Sequence, residues 1–407
     1  MSNLYPPAVL GGYEVECQVV VDALLARGDD VTVLTGDRDA GTPPSERRVR
    51  RELAFLTPDP RGSLRAPAAA LRGAQTMRRT LEELRPDLVW IWNGAQLPQA
   101  ALVTALRSPF PVAFRVCEAW FGDLWGTDQF LRHLYGTDTG LRRAWALALR
   151  SLNRHPSLRV DVHERYSAHV VWNSRALRDH AGVPAVIEPK TEQVLHTTAA
   201  RGPLFAAAKR RAPNPLEPPV IAFVGRANAA KGVDVAVDAI IDLQRRHGIT
   251  ATLALAGAAE RRDRSAMNGR VAAAGMPPET LRWLGIVDPS QVVELFQTAA
   301  ATVVVSVAFD AFPQVCIEAA FARVPVVGSD VGGIPECLLP EEHALIVPHG
   351  DARATASALA RVITDPEGTA ARVERARLRA DDFDLDRYLE ASLAYVDEIA
   401  AASRRTE

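Results

Sequence analysis

Twice along the chain, short runs of β-branched and aliphatic residues alternate with amphipathic stretches of helical period, and a stretch rich in Ala, Arg and Pro separates the two series. That rhythm leaves few folds open, because strands buried on both faces belong to parallel sheets covered by helices. In the first series VECQVVVDALLARG reads as a helix ending at Gly28 and AAALRGAQTMRRTLEELR as another, while DDVTVLT, PDLVWIWN, PVAFRV and AHVVWNS read as strands. The second series has the strands PVIAFVG, TATLALAG, LRWLG, TVVVSVA and VPVVGS around the helix GVDVAVDAIIDLQRRHG. Between them, Thr191 to Pro219 reads as a linker. A chain of 407 residues, 48% hydrophobic, is long enough for two α/β halves with a core each.

Chemistry-bearing residues gather where strands end. The stretch FDAFPQVCIEAAF carries Asp310 and Glu318 eight residues apart, with Pro313 between them. A single helix would separate those acids by ~12 Å along its axis, and Pro313 would break its ladder. The better parse is a buried strand, Thr302 to Ala308, then a loop with Asp310, then a helix opened by Pro313 with Glu318 about a turn and a half inside. Both acids then face the crevice beyond a strand end, where ligands of open α/β sheets bind. In IAFVGRANAAKGVDVAVDAI a strand ends at Gly225, and Arg226 and Lys231 precede a helix; two cations beside a helix N-terminus suit a doubly charged phosphate group. Neither a Walker loop nor the dinucleotide glycine fingerprint occurs. Gly332 and Gly333 in GSDVGGIPE, and Gly11 and Gly12 in YPPAVLGGYEVE, open two further loops in which backbone can approach a ligand closely.

A net charge of −2 gives no global attraction to nucleic acid. Cys17, Cys117, Cys316 and Cys337 form no CxxC pair, which argues against zinc and against a disulfide scaffold and suits a reducing cytoplasm. No secretory leader pattern opens the sequence, and no apolar run approaches ~20 residues. Asp37-x-Asp39 reads as a loop after a strand rather than a metal-binding acid pair, Asp381 to Asp386 as the capping region of the last helix, and no histidine pair supports a metal.

These motifs together resemble the family 4 retaining glycosyltransferases of the GT-B fold. GRANAAKG is similar to the family's Gly-Arg and Lys-Gly loop, DAFPQVCIEAAFARVPVVGSDVGGIPE to its Glu-x7-Glu segment with the following Gly-Gly-x-Pro-Glu, and LYPPAVLGGYEVECQVVVDALLARGDDVTVLT to its N-terminal glycine loop, helix and strand. The resemblance implies two Rossmann-like domains facing each other across a cleft: an acceptor-binding domain at 1–195, a nucleotide-sugar donor domain at 215–385, and a helix at 386–407 crossing back to the first. It implies Arg226 and Lys231 on the donor diphosphate, without a metal or other cofactor, and Glu318 on the ribose hydroxyls. Asp310 would meet hydroxyls of the donor sugar, with the backbone around Phe312 and Gln314 nearby. Gly12, Gly225, Gly332 and Gly333 complete the donor set.

Two departures bear on the donor pocket. Asp310 stands where the family usually has Glu, and Cys117-Glu118 where it often has His-Asp, so Glu118 and Trp120 are the candidates there for the acceptor or donor-sugar pocket. VIEPKTEQV replaces the usual Asn-Gly turn near the domain connection. The implied activity is transfer of a sugar from a nucleotide-diphosphate sugar to an acceptor hydroxyl with retained configuration, the acceptor being a sugar, a lipid-linked molecule or a natural product. A catalytically weakened nucleotide-sugar-binding protein and a sugar-nucleotide epimerase on the same fold remain alternatives. Trp120 and Trp125, in a loop-like segment, are acceptor-stacking candidates. In LRRAWALALRSLNR, Leu141 to Arg154, an apolar stripe faces away from Arg143, Arg150 and Arg154; the readings are a core helix or a peripheral contact with the inner face of an anionic membrane.

Overall fold

The computed structural model describes residues 1–9, 11–38, 48–56, 60–124, 163–199, 202–207 and 218–404. Asp39, Trp125 and the stretch Leu141 to Arg154 lie outside them. The chain divides into two compact units, Met1–His196 with Leu389–Glu407, and Thr197–Tyr388.

In the first unit, β1 (Val33–Gly36) pairs in parallel with β2 (Val49–Leu53), and β3 (Val89–Ile91), β4 (Val112–Val116), β5 (Tyr166–Trp172) and β6 (Ile187–Val194) form a parallel sheet in that order. Ser2 bridges both Thr35 and Asn93 in parallel and so links the two groups of strands. The helices are α1 (Gly12–Arg27), α2 (Pro60–Leu84), α3 (Gln99–Leu106) and α4 (Arg175–Ala181). Every residue of β1, β3 and β4 is buried, as expected of strands covered on both faces. The edge strand β6 differs: it is largely exposed, and Pro189, which has no N–H to donate, is accommodated at a register shift opposite Ala168 and His169. This strand runs through Val194, and α5 (Gly202–Ala206) follows it, so the expected linker from Thr191 is in part regular structure.

The second unit holds a six-stranded parallel sheet in the order β12-β11-β10-β7-β8-β9, built from β7 (Val220–Val224), β8 (Thr252–Ala256), β9 (Leu281–Gly285), β10 (Ala301–Val304), β11 (Val326–Ser329) and β12 (Leu345–Val347). Its helices are α6 (Val233–His247), α7 (Arg261–Ala273), α8 (Pro289–Thr298), α9 (Gln314–Phe321), α10 (Ile334–Cys337), α11 (Ala352–Thr364), α12 (Pro366–Ala380) and α13 (Leu385–Arg404), the last of which belongs to the first unit from Leu389 onward. In α6, Val233, Val237, Ile240, Ile241 and Leu243 are buried, each contributing roughly 1.5–3 kcal/mol of apolar burial. The helix stops at Gly248, whose φ of 67° lets its N–H bond back to the Gln244 carbonyl.

The topology locates the candidate site. From β7 the chain fills one side of the sheet with β8 and β9, then returns to lay β10 on the other side of β7. The strand order therefore reverses between β7 and β10, and beyond the carboxyl ends of strands at such a reversal is where open α/β sheets bind ligands.

Candidate functional site

Four loops leave the sheet around that reversal. After β7, Gly225 has a φ of 141° and Arg226 follows, exposed and with no ion pair among the described residues. Asn228 then accepts the Lys231 N–H at 3.0 Å on its side-chain oxygen, closing a short turn that sets the direction of the lysine. Gly232, at φ 73°, brings the loop onto the exit of β10 so closely that a Cβ there would stand 1.9 Å from the Val305 carbonyl oxygen. The Ala230 carbonyl accepts both the Val307 and Ala308 N–H groups, at 3.0 and 3.1 Å. This pair of hydrogen bonds takes those two amides away from any sheet partner. Thr302 to Ala308 was the expected strand, but regular pairing stops at Val304 because the following amides turn toward the lysine loop.

Asp310 lies at the centre. Lys231 Nζ is 2.6 Å from its Oδ2, and the Ser306 hydroxyl donates to the same oxygen at 2.9 Å. The lysine side chain is 33% exposed and the aspartate 11%, so the pair is sheltered yet open to solvent on one side. From β11, the Ser329 hydroxyl donates to the Ser306 carbonyl at 2.7 Å, and the Gly333 N–H to the Asp310 carbonyl at 2.8 Å. Gly332 and Gly333 press on the backbone of this loop: a Cβ on either would stand 2.1 Å from the carbonyl oxygen of Asp310 or Ala311 respectively. The paired glycines thus hold the Asp310 loop.

Gln314 opens α9 and Glu318 lies one turn further along, both half-buried. Phe312 contributes only backbone to any site. Its ring is 5% exposed, 5.3 Å from the Phe383 ring, and belongs to the core. Beneath Glu318, the Cys316 thiol hydrogen-bonds Cys337; that bond and its burial hold its pKa well above the usual thiol range. At the exits of β11 and β12, Asp330 accepts from the ring and the backbone N–H of His349, both at 2.8 Å. Burial favours the protonated form of Asp330, but those two bonds outweigh it and hold the carboxyl below its ordinary range.

Of the expected residues, Arg226, Lys231, Asp310, Glu318, Gln314, Gly225, Gly332 and Gly333 lie on loops and helix starts around the β7–β10 reversal. Gly12, Glu118 and Trp120 belong to the other unit. There Gly12 is the first residue of α1, and Glu118 is exposed one residue past Cys117. Trp120 is a correction. It is 7% exposed, packed against Phe114 and Phe121 and against the backbone of Gly94, so its ring is core and offers no platform to a ligand. Asp37 accepts the Phe55 N–H at 2.9 Å, a staple between the exits of β1 and β2. Sequence reasoning missed Ser306, Ser329 and Asn228. Ser306 lies inside the run TVVVSVA, between Val305 and Val307, where the pattern reads as continuous strand.

Among the described residues no group of three or more His, Cys, Asp and Glu side chains comes together as a metal site, and no helix is long and apolar enough to cross a membrane.

The second unit contains a match to the glycosyl transferases group 1 family at residues 205–379, and the first a match to the glycosyl transferase 4-like domain at residues 11–166. The chain is 26% identical to the glycogen synthase of Mycobacterium tuberculosis, over 93% of this chain and 89% of that one. Its fold is similar to that of sucrose-phosphate synthase from Thermosynechococcus elongatus, with a TM-score of 0.68 at 19% identity over 96% of this chain and 94% of that one. It is also similar to Anabaena HepE in complex with UDP and glucose, with a TM-score of 0.61 at 18% identity over 95% and 96%. Two family matches, each within its own α/β unit, and the shared fold make this chain a glycosyltransferase of the GT-B group, with a 4-like N-terminal domain and a group 1 C-terminal domain.

Proposed function

We propose that the protein transfers a sugar from a nucleotide-diphosphate donor to an acceptor hydroxyl, with retained anomeric configuration and without a metal ion. The observation that carries this reading is the Lys231–Asp310 pair at the reversal of strand order, with exposed Arg226 on the same loop as Lys231. Lysine retains donors beyond the one given to Asp310, and Arg226 adds a planar fork that matches phosphate oxygens. Together they neutralise the diphosphate as it departs, the step in which charge develops. Glu318 accepts from the ribose hydroxyls and Asp310 from a hydroxyl of the donor sugar. No side chain here is assigned as a covalent nucleophile; catalysis rests on stabilising the leaving group and on placing the acceptor hydroxyl on the same face of the sugar. The UDP and glucose held by HepE support a nucleotide-sugar donor. We read the acceptor as a sugar, a lipid-linked molecule or a natural product, and the working location as the cytoplasm or the inner membrane face.

The test is a thermal-shift screen of UDP, ADP, GDP and dTDP, followed by transfer assays with the matching nucleotide sugars in excess chelator. A bound nucleotide raises the melting temperature. Transfer should persist in chelator, with the product anomer matching the donor by NMR. Activity lost on chelation and restored by manganese, or an inverted product, overturns the mechanism. Binding without turnover, or isomerisation of the donor sugar, overturns the transferase reading itself.

A further inference from the structure

Ser306 is 1% exposed, and its hydroxyl has a defined place: it donates to Asp310 Oδ2 while its own carbonyl accepts from Ser329. Lys231 donates to that same Oδ2, and no other side-chain donor among the described residues reaches the carboxylate. A carboxylate oxygen carries two lone pairs, so the two donors fill Oδ2 and leave Oδ1 as the accepting atom. Rotation about Cβ–Cγ would break both bonds at once. We propose that Ser306 is a positioning residue for donor-sugar recognition: it locks the Asp310 carboxylate so that Oδ1 faces the donor sugar and Lys231 stays poised beside the diphosphate.

This role rests on the reading of Asp310 as the acceptor for a sugar hydroxyl. Aspartate has only two side-chain torsions. Backbone contacts from Gly332 and Gly333 fix the residue's main chain, and Ser306 fixes the last torsion, which a lysine on a flexible stem cannot do alone. The link from Ser329 to Ser306 to Asp310 also ties the exit of β11 to the exit of β10, so the direction of the carboxylate is set by the sheet rather than by the loop. A plain loop staple would have the same hydroxyl bond, but would act on stability and not through the carboxylate.

The experiment is a double-mutant cycle with Ser306→Ala and Asp310→Asn, read with UDP, ADP, GDP and dTDP and with UDP-glucose, ADP-glucose, GDP-mannose and dTDP-glucose as probes. For the pair that the wild type binds, Ser306→Ala should leave nucleoside-diphosphate affinity within about 2-fold and lower kcat/KM for the nucleotide sugar by about 10-fold, mostly in kcat. In the Asp310→Asn background the same change should cost less than about 2-fold, because the group it orients is already altered. Ser306→Thr, which keeps the hydroxyl, should recover most of the loss. Equal losses in both backgrounds, or a loss of diphosphate binding matched by a fall in melting temperature, overturns the positioning role and leaves the transferase reading standing. A wild type that binds none of the probes overturns the functional reading, and this role with it.

Discussion

The two units each contain a cation–carboxylate pair at 2.6 Å, Arg115–Glu16 in the first and Lys231–Asp310 in the second, and the two are built for opposite ends. Arg115 and Glu16 are both 0% exposed. The guanidinium also donates to the carbonyls of Trp172 and Leu195, at 3.2 and 2.5 Å, so it ties α1 to the exits of β5 and β6. Lys231 and Asp310 sit partly open to solvent, and among the described residues the ammonium's hydrogen bond goes to Asp310 alone. A buried pair whose donors are committed to backbone organises the fold, whereas a sheltered pair with donors to spare can exchange one partner for a ligand. Burial and the count of committed donors, rather than pair distance, separate the two roles.

The largest effect expected from this contrast is at Arg115. Arg115→Met should leave Glu16 buried without its partner and cost about 3–5 kcal/mol in urea unfolding, while Arg115→Met with Glu16→Met should recover most of that. If the single variant unfolds like wild type, the pair is not organising the fold.

Next comes the open pair. Lys231→Met should lower transfer at least about 100-fold, equivalent to ~2.7 kcal/mol of lost transition-state stabilisation, while changing unfolding free energy by no more than about 1 kcal/mol. Arg226→Ala and Glu318→Gln should also lower transfer at least about 100-fold, because in the proposed function each makes a charge-assisted contact to the donor. Collapse of the fold in Lys231→Met would erase the distinction between the pairs.

A smaller effect tests the loop that carries Asp310. Gly332 is held at φ 57° with the Asp310 carbonyl against its α-carbon, so Gly332→Ala should cost about 1–3 kcal/mol of stability and displace the carboxylate, seen as a rise in donor KM. Gly248→Ala, also at positive φ but with nothing near its Cβ position, is the control: comparable backbone strain and unchanged donor KM.

The placement of the candidate-site residues was legible in the sequence because they follow strand exits: a buried run announces the strand, and a cation or acid just past it lies where open α/β sheets bind ligands. Arg226, Lys231, Asp310 and the paired glycines all obey that logic. Ser306 was not legible, since a β-branched run containing one serine reads as continuous strand; only the turn of Val307 and Ala308 toward the Ala230 carbonyl ends it early. Trp120 misled for a related reason. Its segment has the composition of a loop, and what buries the ring is a glycine 26 positions earlier, at Gly94, together with Phe114 on the neighbouring strand. Thr191 to Val194, read from the sequence as the start of the linker, are the end of the edge strand β6, whose exposed polar residues and Pro189 an edge position tolerates.

The smallest expected effect compares the units through one buried histidine in each. His169, 8% exposed, bonds Thr191 through Nδ1 at 2.8 Å; burial lowers its pKa, and Lys190 adds to this against the opposing pull of Glu398. His343, also 8% exposed, accepts the Leu339 N–H on Nδ1; burial again leads, and Arg379 and Arg375 lower its pKa further while Glu342 and Asp382 oppose them. Both folded pKa values lie below the ordinary 6.5. Above pH 6.5 both states hold neutral imidazole and the stability from burying it is fully present. As pH falls below 6.5 the unfolded chain binds protons that the folded chain does not, so stability drops by up to about 1.4 kcal/mol per pH unit for each histidine until the folded pKa is reached. Urea unfolding at pH 7.5, 6.5 and 5.5 should show that slope, and His169→Gln and His343→Gln should each remove part of it. If His169→Gln flattens unfolding of the first unit alone, and His343→Gln that of the second, the units lose stability independently. A common loss in both variants would mean that they unfold as one.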